Sequence, residues 1–511
     1  MTMQSGEKEA VKIMRSFFKP PRLQCAAIRL PYQLGEMPDI FRFLSPFDPV
    51  VFLESREGTE KYARYGITAA RPLLVVEGKG PFFSIRDREG KREDIQVEDP
   101  LAILKSLQPE VALPGVLENF RFAAGWVGSL GYESCGLFEK IPRAARDDLD
   151  LADAVFYLPS ILVLKDAVRK HLLLVCLDER EDAARHLCGE VASHLEKVSP
   201  REPAGPDKVR RSGRCSFPEE DFLGSVRQAK RLITEGEMIQ VVLSRRWEIS
   251  PAPAPEAVYD ALSLLNPSPY HFFVRMGEDA VLLGASPELL VRREDGTLTV
   301  RPIAGTRPRG KDPEKDQAME REMLADPKEN AEHIMLVDLG RNDLGRVSEP
   351  GSVKVTRRMT VEKYSHVMHL VSEVQSSLAE GSDSYDVLRS CFPAGTVSGA
   401  PKIRAMKAIA AMEPVVRGPY AGGVGFFDVR GNMDFAITIR SVFFSRGKAF
   451  VQSGAGIVAD SVPERERDEI DAKAAAMFRA FGDVELVEEE KKDGAVAANI
   501  PLFQGNEAGA K

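Results

Sequence analysis

Residues 451–473 read VQSGAGIVADSVPERERDEIDAK. A short apolar run ends in Ser453-Gly454-Ala455-Gly456, and an acidic helix is expected after Pro463. Glycine carries no side chain, so backbone N–H groups there can approach an anion closely. On the helix, Glu466, Glu469 and Lys473 fall at i, i+3 and i+7, which is one face. Two carboxylates and a lysine facing a glycine strip suit a divalent cation together with a carboxylate-bearing small molecule. A solvated helix with ordinary surface ion pairs would carry the same letters.

A second acidic pair favours the first reading. Glu329 and Glu332 lie three apart in EREMLADPKENAEHIMLVDLGRNDLGRV, a strongly helical stretch, and share a face. Two such helices brought together would offer oxygen ligands to a hard cation. Mg²⁺ takes only one or two carboxylates, with waters and substrate oxygens completing its shell. Some of the four glutamates are therefore expected on metal, and the rest as water-mediated or acid–base groups.

The chain has 511 residues, ample for a large core. Its net charge of −8 argues against nucleic acid or an anionic membrane as the main partner. The six cysteines, Cys25, Cys135, Cys176, Cys188, Cys215 and Cys391, form no CxxC pair. That suits a reducing, cytoplasmic setting and offers no structural zinc site. No apolar run is long enough to span a bilayer. Residues 1–21 read as a ragged N-terminal tail without the apolar centre of a signal peptide.

Residues 22–198 form a first region of short β-like runs, with a helix near 183–195. Residues 199–215 combine Pro, Gly and charge as a linker would. Residues 216–484 carry most of the motifs. There, a helix over 222–234 leads into a strand over 240–247, and a helix is expected at 256–265. Strands are expected near 270–275, 280–284 and 296–303. Long helices are expected near 313–340, 361–379 and 400–412, and hairpin-like strands over 421–458. Residues 485–511 lack apolar periodicity and read as a flexible tail.

Further segments join the acidic helices. Arg301-Pro-Ile-Ala-Gly-Thr-Arg-Pro-Arg-Gly310 is a strand end before a basic turn. Val367-Met-His369 places an imidazole on the expected helix. Cys391-Phe-Pro-Ala-Gly-Thr-Val-Ser-Gly-Ala-Pro401 is a small-residue loop with Thr396 as a hydroxyl donor. Tyr420-Ala-Gly-Gly-Val-Gly425 is a glycine-rich strand entry. Ile437-Thr-Ile-Arg440 ends in a guanidinium able to fork onto a carboxylate. In this order the motifs resemble the chorismate-utilising enzyme family, and within it anthranilate synthase component I, over roughly residues 22–481.

The resemblance implies an α+β fold: a β-sandwich of large antiparallel sheets with helices packed outside and the two regions interlocked. It implies chorismate contacts at Gly305, Thr306, Tyr420, Arg440, Gly454, Ala455, Gly456, Val458 and Lys473. It implies Mg²⁺ ligands at Glu332 and Glu469, and catalytic roles for His369, Thr396, Glu329 and Glu466. Two positions discriminate among relatives. Aminodeoxychorismate synthases commonly carry a nucleophilic lysine where this chain has Ala304. Isochorismate and salicylate synthases carry a lysine base where it has Gln240. The remaining nucleophile is ammonia. No Gly-x-Cys-x-Gly elbow is present, so the family pattern calls for a separate glutamine amidotransferase subunit.

The expected function is thus conversion of chorismate and ammonia to anthranilate and pyruvate, in tryptophan biosynthesis. Aminodeoxychorismate synthesis and a non-catalytic tryptophan sensor stand as alternatives. Phe52-Leu-Glu-Ser55 and Asn266-Pro-Ser-Pro-Tyr-His271 resemble paired segments that bind feedback tryptophan, with Ser55, Pro269, Tyr270 and His271 as contacts. His271 departs from the methionine common at that place.

Overall fold

The computed structural model describes residues 18–56, 64–144, 146–198, 209–277, 279–364 and 367–487. Two long antiparallel strands, Tyr65–Lys79 and Ala154–Asp166, run through its middle. Their register shifts between Pro72 and Leu74, and Arg71 takes φ 50°. A bulge bends a strand pair and tolerates proline, so the two halves of this pair enter different sheets.

On one side of the bend the first sheet grows in two directions. It reaches His171–Asp178 and Arg22–Leu30 one way. The other way it passes Pro49–Glu54, Tyr270–Arg275, Ala280–Ser286, Ser441–Ser445 and Lys448–Ile457 to Gln240–Ser250. Beyond the bend the second sheet takes in Phe82–Asp87 and, at its edge, Arg92–Gln96. It continues through Gly125–Leu130, Gly423–Asp428, Met433–Ile437, Leu289–Glu294 and Thr297–Val300 to Val367–Ser377. That last strand lies between Ile303–Pro308 and Lys354–Lys363. Among the described pairings only two marginal ones are parallel: Arg22–Leu30 with Glu110–Val111, and Arg211–Cys215 with Val484–Val487.

Side chains alternate across each sheet. Val51, Phe272 and Phe443 from the first sheet meet Val127, Val424 and Phe426 from the second in one core between them. Phe52 and Phe273 point outward onto Phe41 and Tyr259, from helices Met37–Phe43 and Pro255–Leu265. Phe427 packs outward on Tyr385 of helix Ser384–Cys391. Both faces are covered, so every residue of Ala154–Asp166 is buried, and such strands read as continuous apolar runs. The architecture is the helix-covered antiparallel sandwich that the resemblance implied.

Four local expectations change. Residues 361–379 are not a helix: Val367–Ser377 is a strand, and His369 stands on it. Met368, Leu370 and Val374 are all buried, and their even spacing fits period 2. The expected helix over 313–340 is two helices, Pro313–Ala325 and Pro327–Gly345. Asp326 caps the second by accepting N–H bonds from Lys328 and Glu329, with Pro327 opening the first turn. The strand expected over 296–303 is Thr297–Val300 followed by Ile303–Pro308. Arg211–Cys215, read as linker, is a strand between Gln240–Ser250 and Val484–Val487, so the tail expected from 485 begins as part of that same strand pairing. Residues 199–208 and the tail beyond Val487 lie outside the described residues, as does the N-terminal stretch before Phe18, itself buried. Among the described residues no helix is long and apolar enough to cross a membrane.

Candidate functional site

Strands Gln240–Ser250 and Lys448–Ile457 pair so that Val242 faces Gly456 and Ser244 faces Gly454. The glycines here make room for side chains as well as for backbone approach. A Cβ on Gly454 would sit 2.8 Å from the Tyr420 hydroxyl. One on Gly456 would sit 2.1 Å from Gln240 Nε2. Ala455 between them is fully buried on the other face. Gln240, crossing Gly456, donates from Nε2 to Glu332 Oε1 at 3.4 Å. The glycine strip is thus joined to the first acidic helix.

The second acidic helix, Pro463–Phe478, lies against the same strip. Lys473 Nζ donates to Glu469 Oε1 at 2.7 Å and to the Gly454 carbonyl at 3.0 Å. Arg440 donates from Nη1 to the Lys473 carbonyl at 3.3 Å. Its backbone takes φ 51°, a conformation unusual for a residue with a side chain, which turns the chain at the strand end. Burial pushes the Arg440 pKa down, and Tyr420 and Glu469 oppose that shift. Val458 commits its N–H to the Ser461 hydroxyl at 3.0 Å, closing the turn into the helix.

The acidic pairs influence one another. Glu332 is pushed above the usual carboxylate range by burial, then by the charges of Glu329 and Glu469. Glu466 is pushed up by burial, with the Ser461 hydroxyl opposing and Glu469 adding to it. Lys328 lies within electrostatic reach of both Glu332 and Glu466. Among the described residues no three His, Cys, Asp or Glu side chains are placed to hold a metal by themselves. Glu332 and Glu469 are two repelling carboxylates from different helices. A hard cation that accepts two protein carboxylates fits such a pair.

Glu329 sits one turn earlier on its helix. Its Oε1 accepts from Arg307 Nη1 at 3.0 Å, and its Oε2 lies 3.0 Å from where a Gly305 Cβ would be. Gly305 takes φ 61° at a bulge between Ala304 and Thr306. Thr306 pairs with His369 across the ladder. His369 Nδ1 is 3.3 Å from the Gly305 carbonyl. Its ring faces away from Met368 and Leu370, which pack against Met323 of the helix before the acidic one. His369 therefore meets the site through the Gly305 bulge and not from the side of the carboxylate helices.

Thr396 lies in the short helix Gly395–Ser398, and its hydroxyl neighbours Glu288. Glu288 was not singled out from sequence. It is buried at the Ser286–Leu289 turn, and its carbonyl accepts the Ile437 N–H. Burial raises its carboxyl to about 8, and Thr396 partly offsets the shift. A buried carboxyl still protonated at neutral pH is a general-acid candidate. Arg417 and Glu413, also unforeseen, form a buried pair at 2.6 Å. Arg417 donates to the Val397 carbonyl at 2.7 Å and the Val242 carbonyl at 2.8 Å, near the Tyr420 ring. It ties the Thr396 turn to the Gln240 strand. The i,i+4 Glu–Arg spacing was the available signal.

The segments read as a tryptophan site meet at a cavity between the sheets, lined in part by Leu53, Ser55, Arg121, Tyr270, Phe426 and Asp434. Ser55 Oγ donates to the Pro269 carbonyl at 2.7 Å. Tyr270 donates to Asp434 at 3.3 Å and accepts from Arg292 at 2.9 Å. The His271 ring packs edge-on against Tyr259 under the outer helix, and its Nε2 accepts the Ser268 N–H at 3.1 Å. Burial holds its pKa down at about 3, so the ring is neutral.

Known proteins share this assembly. The description "chorismate binding enzyme" matches residues 48–479. Anthranilate synthase component 1 of Pseudomonas aeruginosa is 44% identical over 445 residues, 84% of this chain and 89% of its own. That of Acetivibrio thermocellus is 41% identical over 442 residues, with the same shares. The crystal structure of anthranilate synthase component I from Streptococcus pneumoniae superposes with TM-score 0.73 and 36% identity, covering 81% of this chain and 92% of that one. The menaquinone-specific isochorismate synthase of Escherichia coli shares the fold at TM-score 0.68 and 20% identity, over 94% of this chain and 100% of that one. Spanning nearly the whole sandwich and both acidic helices, these matches place the chain in the family of chorismate binding enzymes.

Proposed function

We propose that this chain is the chorismate-binding subunit of an anthranilate synthase. It would add ammonia, delivered by a separate glutamine amidotransferase subunit, to chorismate and release anthranilate and pyruvate. The observation that carries the reading is Gln240. Its buried amide lies across Gly456 and donates to Glu332 at the centre of the site. An amide is no base at neutral pH, so water is not activated there. Ala304, buried on the neighbouring bulge, offers no nucleophile. Ammonia from outside remains, and relatives named anthranilate synthase component 1 support it.

Chorismate carries two carboxylates. Arg440 and Lys473 with the open backbone of Gly454 and Gly456 can hold one. Glu332 and Glu469 would hold Mg²⁺, which when bound neutralises the other and orients it. The ammonia lone pair adds at ring C2, both conjugated double bonds shift (C1=C2 to C1=C6 and C5=C6 to C4=C5), the 4-hydroxyl leaves as water with a proton from Glu288, and the new ammonium loses a proton to solvent. Loss of the C2 proton and cleavage of the C3–oxygen bond release pyruvate and aromatise the ring. His369 at the Gly305 bulge serves this second half by moving a proton or stabilising charge.

The test is identification of the product formed from chorismate, Mg²⁺ and ammonium at alkaline pH. Anthranilate supports the reading, while aminodeoxychorismate or salicylate replaces it. The chain alone should not consume glutamine until an amidotransferase is added. Gly456→Ala should lower turnover about 10- to 100-fold, because the new methyl displaces the Gln240 amide. Only the far end of a flexible side chain must move, so circular dichroism should stay unchanged. Normal turnover in Gly456→Ala would remove Gln240 from the site.

Feedback belongs to the same reading. Tryptophan would enter the cavity beside Ser55 and Tyr270 and favour a less competent active site. Ser55→Phe should relieve inhibition and leave uninhibited turnover within about twofold. Calorimetry finding no tryptophan binding at millimolar concentration would delete this part.

A further inference from the structure

The cavity beside Tyr270 and the imidazole of His369 lie on one face of the second sheet. On strand Val367–Ser377, His369, Val371 and Glu373 share a face, opposite the helix-covered Met368, Leu370 and Ser372. At the cavity end, Tyr270, Asp434 and Arg292 bond to one another, with Arg292 Nε donating to Asp434 Oδ2 at 2.8 Å. Arg301, buried, lies within electrostatic reach of the Tyr270 hydroxyl. It donates to Glu362 Oε1 at 2.6 Å and lies 3.9 Å from Glu373. The other Glu362 oxygen accepts from Tyr364 Oη at 3.0 Å. The Tyr364 ring stands edge-on to the His369 ring at 5.6 Å. Glu362 is also the ladder partner of His369. The carboxylate thus holds a cavity-side arginine on one oxygen and the tyrosine against His369 on the other.

We propose that Arg301, Glu362 and Tyr364 are positioning residues for His369 and transmit occupancy of the Tyr270 cavity to it. The coupling half rests on the feedback reading above. A ligand that engages Tyr270 or Asp434 alters the charge facing Arg292 and Arg301. A shift of Arg301 pulls on Glu362, and Tyr364 then releases or tilts the imidazole. Coupling of this kind needs an element with two arrangements that both sites bias. The shared Glu362 carboxylate, with a cavity-side and an active-site-side partner, is that element.

The experiment compares the full chain with Glu362→Gln, Tyr364→Phe and the double variant, using ammonium as nitrogen donor. Turnover should fall about tenfold in each single variant with KM for chorismate within about twofold. The double variant should be no worse than Glu362→Gln, since the residues act as one unit. Tryptophan should still bind, by calorimetry without chorismate, with an unchanged dissociation constant. The concentration for half inhibition should rise about tenfold, and chorismate should no longer weaken tryptophan binding. Unchanged turnover, or unchanged inhibition with binding intact, overturns the proposal. If tryptophan does not bind the unaltered chain, the feedback reading fails and the coupling falls with it. Should Glu362→Gln unfold, Tyr364→Phe, which loses one oxygen atom, decides by the same criteria.

Discussion

Glu332→Gln is expected to lower turnover by at least about 100-fold, and chelation of the unaltered chain should match it, with Mg²⁺ restoring activity. The two acidic helices hold like charges close together. Glu332 is pushed up by burial and by the neighbouring charges of Glu329 and Glu469. Without a cation, a neutral amide of the same shape relieves that repulsion. The melting temperature of the metal-free variant should therefore rise, not fall, as catalysis is lost. This opposite movement is the signature of a site assembled against its own stability. Glu469→Gln should behave alike, although Lys473 already shields that carboxylate at 2.7 Å. Full turnover in a chelated sample would sink the assignment.

Glu288→Gln is the second large effect, about 10²–10⁴-fold in turnover. A general acid must be protonated to act, and the Glu288 carboxyl sits at about 8. Turnover should fall as pH rises through that value, even though more free ammonia is then present. In Glu288→Gln this falling limb should vanish, leaving residual activity that only grows with ammonia. Stability carries the same sign. The raised value stabilises the fold fully below the ordinary 4.5, and that contribution is lost as pH rises through about 8. A pH profile of Glu288→Gln that keeps the alkaline limb would assign the acid elsewhere.

The two acidic helices were legible because they depend on local pattern, whereas the sandwich, built from long-range pairings, was implied only by the family resemblance. The helix over Glu219–Thr234 and the strand from Gln240 follow from periodicity alone. His369 was misplaced because Leu370, Val374 and Leu378 are spaced by four, a step shared by helix and strand. Valines at 367, 371 and 374 favoured the strand. The break at Asp326-Pro327 was readable, since aspartate before proline both caps and opens a helix. Glu288 was not readable. It is a single glutamate beside a proline, and its raised pKa comes from burial under distant segments. The Arg301–Glu362–Tyr364 set is hidden for the same reason, being assembled from the turn after Thr297–Val300 and the end of Lys354–Lys363, two segments separated by a helical excursion.

The bent central strand pair has a consequence for synthesis. Among the described residues, Gly125–Leu130 pairs with Ala154–Asp166 on one side but finds its other neighbour only in Gly423–Asp428, and Pro49–Glu54, after Tyr65–Lys79, finds its second only in Tyr270–Arg275. At about 5–20 residues per second, the ribosome delivers Gly423–Asp428 roughly 15–60 s after Gly125–Leu130 emerges. During that interval the nascent N-terminal region exposes strand edges and half of an apolar core, an aggregation-prone state. Long-range pairing of this kind also slows refolding. A gene cut between residues 198 and 209 should yield two insoluble halves when each is expressed alone, and a soluble complex only when both are made in the same cell.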